Sequence, residues 1–170
     1  MLEAPRVTAV PEGVERLFAI CAYAGAGREL VLALKRGNRR GAVPLMGSAI
    51  AESVAGATTT RRAFGVTWAP TTRSRARERG FDQAEVLARA VAKALGLRGV
   101  RCLERVGGPQ MGHGALERRA NTAFTALGRL AGTWLVVDDV VTTGSTMAHA
   151  AQTLRSAGAS RVLGAAIAVA

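Results

Sequence analysis

Short apolar runs alternate along the chain with stretches in which apolar residues recur at helical spacing. The runs LFAICAY (Leu17–Tyr23), FGVTW (Phe64–Trp68) and WLVV (Trp134–Val137) predict strands. The last run is typical of a parallel strand that is covered on both faces. Residues 100–104 predict a brief strand, and Arg161–Val169 a final one. We therefore expect a sheet buried between other elements.

Helices with one apolar face are predicted between these strands. They cover Arg28–Lys35, Leu45–Ala55, a stretch from Asp82 to Gly96, and Thr146–Ala157. In the third helix, Asp82 and Glu85 are placed as a capping pair. Strands that alternate with helices predict an α/β fold, with a mostly parallel central sheet flanked by helices. In such folds ligands lie beyond the carboxyl ends of the strands.

Three polar segments are predicted as loops. The first, TTRSRARERG, covers Thr71–Gly80 and follows a predicted strand. The second is the glycine-rich VGGPQMGHG at Val106–Gly114, for which we expect a long mobile loop. The third runs from Asp138 to Ser145, directly before the last predicted helix.

The length of 170 residues predicts a single domain over residues 1–170. The sequence has no run of about 18 apolar residues, and its first residues have no basic segment leading into an apolar one. We therefore expect a cytoplasmic protein without membrane insertion. Cys21 and Cys102 lie far apart with no CxxC partner, which argues against a zinc ribbon and predicts two buried thiols.

The net charge of +11 arises in the middle of the chain. Residues 35–119 contain 17 Lys or Arg and 6 Asp or Glu, whereas the rest of the chain contains 6 of each kind. Arginine supplies 21 of the 23 basic residues, and its planar guanidinium group suits phosphate oxygens. This clustering predicts a polyanionic partner. The plainer interpretation is a solvated basic face in an arginine-rich chain.

The segment LVVDDVVTTGST (Leu135–Thr146) carries the strongest chemical signal. Gly144 lets the backbone curl where a helix begins, and the hydroxyls around it add hydrogen bonds, so this turn can hold a phosphate monoester. No basic residue lies nearby, so Asp138 and Asp139 would repel that phosphate and must face other groups. Adjacent carboxylates suit the vicinal hydroxyls of a ribose, with a Mg²⁺ ion beside them.

Three other interpretations compete for this segment. A Walker B strand also ends in acidic residues, but the chain has no GxxxxGK[ST] motif because neither lysine follows a glycine. A dinucleotide fold would use Gly25 and Gly27, but Leu30 takes the place of the third glycine. A helix-capping turn explains the Ser and Thr residues and leaves the two aspartates unexplained.

The same twelve residues resemble the phosphoribosyl-pyrophosphate signature of type I phosphoribosyltransferases. That signature has four apolar residues, two acids, two more apolar or small residues and a TTG[ST]T turn. Three further stretches are similar to conserved blocks of the ComF/GntX family of this superfamily. They are YAGAGRELVLALKRG, TTRSRARERGFDQAEVLARAVAKALGL and QMGHGALERRANTAF, so the likeness extends over most of the chain.

The resemblance implies a type I phosphoribosyltransferase-like fold with a flexible lid loop, and a site for 5-phosphoribosyl 1-pyrophosphate (PRPP) with Mg²⁺. It assigns the ribose and Mg²⁺ to Asp138 and Asp139, with no separate structural metal site. The 5'-phosphate is assigned to Thr142, Thr143, Gly144, Ser145 and Thr146. The pyrophosphate is assigned to Thr71, Thr72, Arg73, Arg75, Arg77, Arg79 and Gly80. The lid is assigned Arg105, Gln110, Arg118, Arg119 and Asn121.

The chain also departs from the family pattern. The family usually begins with a cysteine-rich zinc ribbon, which this chain lacks, and Asp82 stands where Asn is usual. Gly107 and His113 replace the expected Thr and Leu. These departures leave the phosphoribosyl side intact and the acceptor, a nucleobase or an amine, open.

The first functional hypothesis implied by the resemblance is an enzyme of phosphoribosyl transfer, linked to DNA uptake in natural competence. A second is a non-catalytic accessory protein that binds PRPP or single-stranded DNA and works with competence proteins. A third is a nucleobase salvage phosphoribosyltransferase. Assembly into a homo-oligomer is left open.

Overall fold

The computed structural model describes residues 2–5, 7, 9–36, 40–56, 64–106 and 123–170. The strands in these ranges are β1 (Leu17–Ala22), β2 (Phe64–Trp68), β3 (Leu103–Val106), β4 (Ala123–Ala126), β5 (Thr133–Val141) and β6 (Arg161–Val169). The α-helices are α1 (Gly25–Lys35), α2 (Val43–Ala55), α3 (Arg73–Arg79), α4 (Gln83–Ala94) and α5 (Ser145–Ser156), and a 3-10 turn covers Arg40–Ala42.

The central sheet has the strand order β1-β6-β5-β2, and all three neighbouring pairs are parallel. The predicted α/β fold with a mostly parallel sheet flanked by helices is therefore confirmed. Because the strands are parallel, their carboxyl ends share one edge of the sheet, which we call the carboxyl edge. Each helix in the described ranges is too short or too polar to serve as a membrane span.

Helices cover both faces of this sheet. On one face, buried side chains of α1, α2 and α4 pack with Leu135 and Val137 of β5. On the other face, Val136 of β5 packs with α5 and with the small sheet formed by β3 and β4. Leu135, Val136 and Val137 therefore alternate between two cores, as expected for a strand buried on both sides.

Strand β5 is longer than predicted. It runs from Thr133 to Val141, so Asp138 and Asp139 belong to the strand and not to the polar loop assigned to them. The reason is tertiary: β6 continues alongside, with Asp138 paired to Ala166 and Val141 to Val169, so the ladder extends past the polar residues. The turn itself is confined to residues 142–144.

The arginine-rich stretch predicted as a loop contains a helix. Helix α3 covers Arg73–Arg79; the Thr72 hydroxyl caps it by accepting from the Arg75 amide, and Gly80 ends it with φ +75°. Arginine has good helix propensity, and a threonine cap followed by a terminal glycine is a helix signal. The loop prediction gave too much weight to the charge of this stretch.

The predicted brief strand at 100–104 is displaced to Leu103–Val106, and its partner β4 was not predicted. The two pair antiparallel, and their four-residue length gives too little periodicity to detect from sequence. Other predictions hold: α4 is capped by the Asp82 carboxylate, and both cysteines are buried and free. Glu85 does not close a reciprocal cap, since its carboxylate accepts from Arg89. The mobile loop was expected at Val106–Gly114, and all of it after Val106 lies outside the described residues.

Candidate functional site

Two polar segments of the candidate site follow neighbouring strands at the carboxyl edge. The acid–hydroxyl segment (Asp138–Thr146) spans the end of β5 and the start of α5. The arginine segment (Thr71–Gly80) follows β2 and contains α3. Strands β2 and β5 are adjacent and parallel, so both segments emerge on the same side of the sheet.

The two adjacent aspartates face different surroundings. Asp138 lines a small cavity of about 30 Å³ with residues 140–144, Thr146 and Met147. Asp139 instead pairs with Lys35 at the end of α1, with 3.2 Å between Nζ and Oδ2. Side chains alternate along a strand, so one carboxylate belongs to the α5 face of the sheet and the other to the α1 face. The sequence interpretation treated them as one unit.

The electrostatics of Asp138 reflect this position. Burial raises the pKa of Asp138 well above its ordinary value, and the negative charge of Asp139 raises it further. The positive charge of Lys35 and a hydrogen bond from the Asp139 amide to Oδ1, at 2.8 Å, act in the opposite direction. A partly buried carboxyl group of this kind gains from a ligand that supplies hydrogen-bond donors or a cation.

The turn after β5 is shaped by Gly144. Its φ of +75° lies in the left-handed region, and it forms the N-cap of α5. The Thr143 hydroxyl accepts a hydrogen bond from the Ser145 amide at 3.4 Å and lies 3.1 Å from the Ser145 hydroxyl. Thr143, one residue before the N-cap, thus accepts from the first amide of the helix. Thr142, Gly144 and Thr146 line the small cavity beside Asp138.

A segment before β1 supports this turn from behind. A Cβ placed on Gly144 would lie 2.9 Å from Cγ of Pro11, which is buried. Pro11 is itself held by a tight turn in which its carbonyl accepts from the Val14 amide. A side chain at Gly144 would therefore meet Pro11, in addition to the space expected for a phosphate. Sequence reasoning missed this contact because nothing local relates residues 133 positions apart.

Helix α3 divides the arginines of the second segment between its faces. Residues four apart in a helix share a face and residues two apart do not, so Arg75 lies with Arg79, and Arg73 with Arg77. Arg73 pairs with Glu104 on β3, with 3.0 Å between Nη2 and Oε1. Arg79 donates to the buried Gln83 carboxamide at 2.9 Å. These guanidinium groups therefore do not point in one common direction.

Arg105 contacts the residue that precedes the arginine segment, and its charge lies near both segments. This β3 residue, assigned to the lid by resemblance, donates to the Pro70 carbonyl at 3.4 Å and lies over the Phe124 ring, 5.7 Å from its centroid. Burial lowers the pKa of Arg105 and the charge of Arg75 adds to this, while Asp138 and Asp82 oppose it. These charges act on one another, so Arg75, Arg105 and Asp138 occupy one electrostatic neighbourhood.

Asp82 closes the loop that carries α3. Its carboxylate accepts from the Thr71 amide at 2.8 Å and from the Ala84 amide at 3.0 Å, so it joins the start of the arginine segment to the start of α4. Burial is the main cause that raises the pKa of Asp82. The sequence identified the cap and missed the bond to Thr71.

The remaining lid residues, Gln110, Arg118, Arg119 and Asn121, lie outside the described residues, as do Gly107 and His113. A larger cavity of about 490 Å³ lies elsewhere, between Leu2 and α1, and its lining is apolar apart from Glu29. Convergent polar groups mark a ligand site better than volume does. The carboxyl edge therefore remains the candidate site.

Comparison of this chain with models of protein families and with curated proteins gave no match. The ComF/GntX resemblance therefore rests on the motifs quoted above and stays a prediction.

Proposed function

We propose that this chain binds PRPP with Mg²⁺ at the carboxyl edge of a type I phosphoribosyltransferase-like fold, as a ComF-like protein, and transfers the phosphoribosyl group to an acceptor. The observation that carries the proposal is the position of the half-buried Asp138 carboxyl group. It shares one cavity with the hydroxyl-lined turn at the start of α5, and it interacts electrostatically with Arg105.

Each part suits one portion of the ligand. The turn around Gly144 combines a helix N-terminus with the hydroxyls of Thr142 and Thr146, which suits a phosphate monoester. Asp138 accepts hydrogen bonds from ribose hydroxyls. Carboxylate oxygens are ligands that Mg²⁺ prefers, together with substrate phosphates, so Asp138, which lines the cavity, fits the ion. When bound, Mg²⁺ would neutralise charge on the diphosphate.

Arg75 and Arg105 suit the diphosphate. Charge-assisted hydrogen bonds contribute about 1.5–3 kcal/mol each, so two guanidinium groups stabilise a departing diphosphate appreciably. Arg105 is partly buried, so water screens its charge less than it screens an exposed guanidinium group. Catalysis of this kind rests on binding and electrostatics, with no covalent intermediate on the protein.

The proposal is tested by calorimetry with PRPP in the presence and absence of Mg²⁺, followed by product analysis over a panel of nucleobases and amines. We expect saturable binding that strengthens with Mg²⁺, weaker binding of ribose 5-phosphate, and release of pyrophosphate with one acceptor class. Absence of binding at millimolar PRPP would overturn the proposal. Binding without any product would leave a PRPP-binding accessory protein.

A second candidate function, binding of single-stranded DNA, is favoured by the exposed side chains of Arg73, Arg75 and Arg77 on α3. Together with the net charge of +11 they can neutralise backbone phosphates. This function predicts affinity for a labelled oligonucleotide that falls steeply with salt. A flat salt dependence would remove it.

A further inference from the structure

Lys35 forms an ion pair that differs from the others in the described part of the chain. Its Nζ lies 3.2 Å from Asp139 Oδ2, and the two side chains are 24% and 13% exposed. In every other described pair at least one partner is 45% exposed or more, so solvent screens those pairs more strongly. A shielded pair fixes the direction of both side chains more firmly than a surface pair does.

The pair joins two elements that are distant in sequence. Lys35 is the last residue of α1. Asp139 lies on β5, next to Asp138, which lines the small cavity. Asp139 contributes nothing to the lining of that cavity, whereas Asp138 does. The ion pair therefore holds Asp139 away from the cavity that Asp138 lines.

We propose that Lys35 is a positioning residue of the site: its ammonium group holds the Asp139 carboxylate on the α1 face and leaves Asp138 as the acid that meets the ribose hydroxyls. This inference rests on the proposed function. In this inference Asp138 binds the ligand, whereas Asp139 affects binding only through its ion pair with Lys35.

The electrostatic consequence is direct. Asp138 and Asp139 are adjacent acids, and the positive charge of Lys35 offsets their mutual repulsion. Without it, Asp139 carries an uncompensated charge in a shielded position beside the ligand. That charge repels an anionic ligand, so binding weakens although Lys35 does not contact the ligand.

A plainer role for Lys35 is the favourable interaction of a cation with the C-terminus of α1. Lys93 offers a matched control, because it lies in the last turn of α4 and is exposed. A role in the helix dipole predicts similar effects at both lysines. A positioning role predicts an effect at Lys35 alone.

The experiment measures PRPP affinity with Mg²⁺ by calorimetry for Lys35→Met, Lys35→Arg, Lys93→Met, Asp139→Asn and the double variant Lys35→Met/Asp139→Asn. We expect Lys35→Met to weaken binding about tenfold, while Lys35→Arg and Lys93→Met stay within about threefold of the wild type. In the Asp139→Asn background, Lys35→Met should change affinity by less than about threefold, because its partner charge is gone.

A loss from Lys35→Met that is as large in the Asp139→Asn background would mean that Lys35 contacts the ligand directly, which overturns the inference. Equal effects of Lys35→Met and Lys93→Met would overturn it too. If the wild type binds no PRPP, the proposed function fails, and the same double-mutant cycle on chemical unfolding decides whether the pair is coupled. We then expect Lys35→Met to raise the equilibrium constant for unfolding about tenfold in the wild-type background. In the Asp139→Asn background, the same substitution should raise it by less than about threefold. Additive effects would overturn the pairing itself.

Discussion

The acid–hydroxyl segment and the arginine segment both lie at the carboxyl edge, but they are held in place differently. The first joins a nine-residue strand with four buried residues to a twelve-residue helix that also has four. The second contains a seven-residue helix with no buried residue. The backbone of β5 places Asp138 and Asp139 on opposite faces, and the Lys35 pair holds Asp139. Polar contacts with Glu104 and Gln83 direct Arg73 and Arg79.

This difference indicates which part of the site is preorganised. The acid–hydroxyl segment keeps its shape because moving it would disturb the core. The arginine segment can rearrange at small cost, because exposed ion pairs contribute about 0.2–1 kcal/mol. We therefore expect substitutions in the first segment to have larger effects than substitutions in the second.

The largest effect is expected from Asp138→Asn. Loss of a hydrogen bond to a charged group costs about 1.5–3 kcal/mol, which corresponds to a roughly 10- to 100-fold loss of PRPP affinity. Calorimetry with Mg²⁺ measures this change. Glu15→Gln is the control, since that carboxylate pairs with Arg161 at the start of β6, at the other edge of the sheet. An equal loss from both substitutions would contradict the role of Asp138.

The same substitution should change the pH dependence of stability without ligand. Burial raises the pKa of Asp138 above its ordinary value of 3.8, so the native state binds this proton more tightly than the unfolded state does. Stability then falls as the pH rises from 3.8 towards the raised native pKa, and Asp138→Asn removes that fall. Chemical denaturation of both proteins across this range should show the variant gaining relative stability with pH. A difference that is constant with pH would contradict the expected shift.

Substitutions at two glycines, one in each segment, compare the two segments directly. Gly144 and Gly80 both have φ +75°, but a Cβ at Gly144 would lie 2.9 Å from Pro11, whereas one at Gly80 would meet nothing within 4 Å. Alanine in this conformation costs about 1–2 kcal/mol. We expect Gly144→Ala to lower the free energy of unfolding by more than Gly80→Ala, and Gly144→Val to abolish PRPP binding. Equal destabilisation by the two alanines would show that the Pro11 contact yields freely.

The faces of α3 can be separated with Arg75→Ala and Arg77→Ala. Arg75 interacts with Arg105 beside the site, so its loss should weaken PRPP binding about tenfold and ribose 5-phosphate binding little. Arg77→Ala should leave both affinities near those of the wild type. Binding of an oligonucleotide, measured as a function of salt, should weaken with either substitution if the helix contacts DNA. Equal loss of PRPP affinity in both variants would contradict the division of faces.

The smallest effects are expected at the two helix caps. Thr143→Ala removes the hydroxyl that accepts from the Ser145 amide, and Thr72→Ala removes the one that accepts from the Arg75 amide. Caps contribute about 0.5–2 kcal/mol, and the loss registers fully only where the helix unfolds with the core. Thermal unfolding should therefore detect Thr143→Ala more clearly than Thr72→Ala. The reverse order would mean that α3 is the more tightly coupled helix.

The alternation of strands and helices and the parallel sheet could be predicted from the sequence, because apolar periodicity reports burial residue by residue. The sequence also singled out Asp138, Asp139 and Gly144, since acids at the end of an apolar strand and a glycine at a helix start are local signals. It fixed the Asp82 cap for the same reason. It did not determine that β5 continues through Val141, which depends on pairing with β6.

The contacts that these residues make follow from the tertiary structure alone. Three contacts join residues that lie far apart in the chain: Lys35 with Asp139, Pro11 with Gly144, and Arg105 with Pro70. No local pattern encodes such contacts, because they follow from how helices cross the sheet. Two adjacent aspartates read the same in sequence, and they differ in the fold because alternate residues of a doubly covered strand enter different layers.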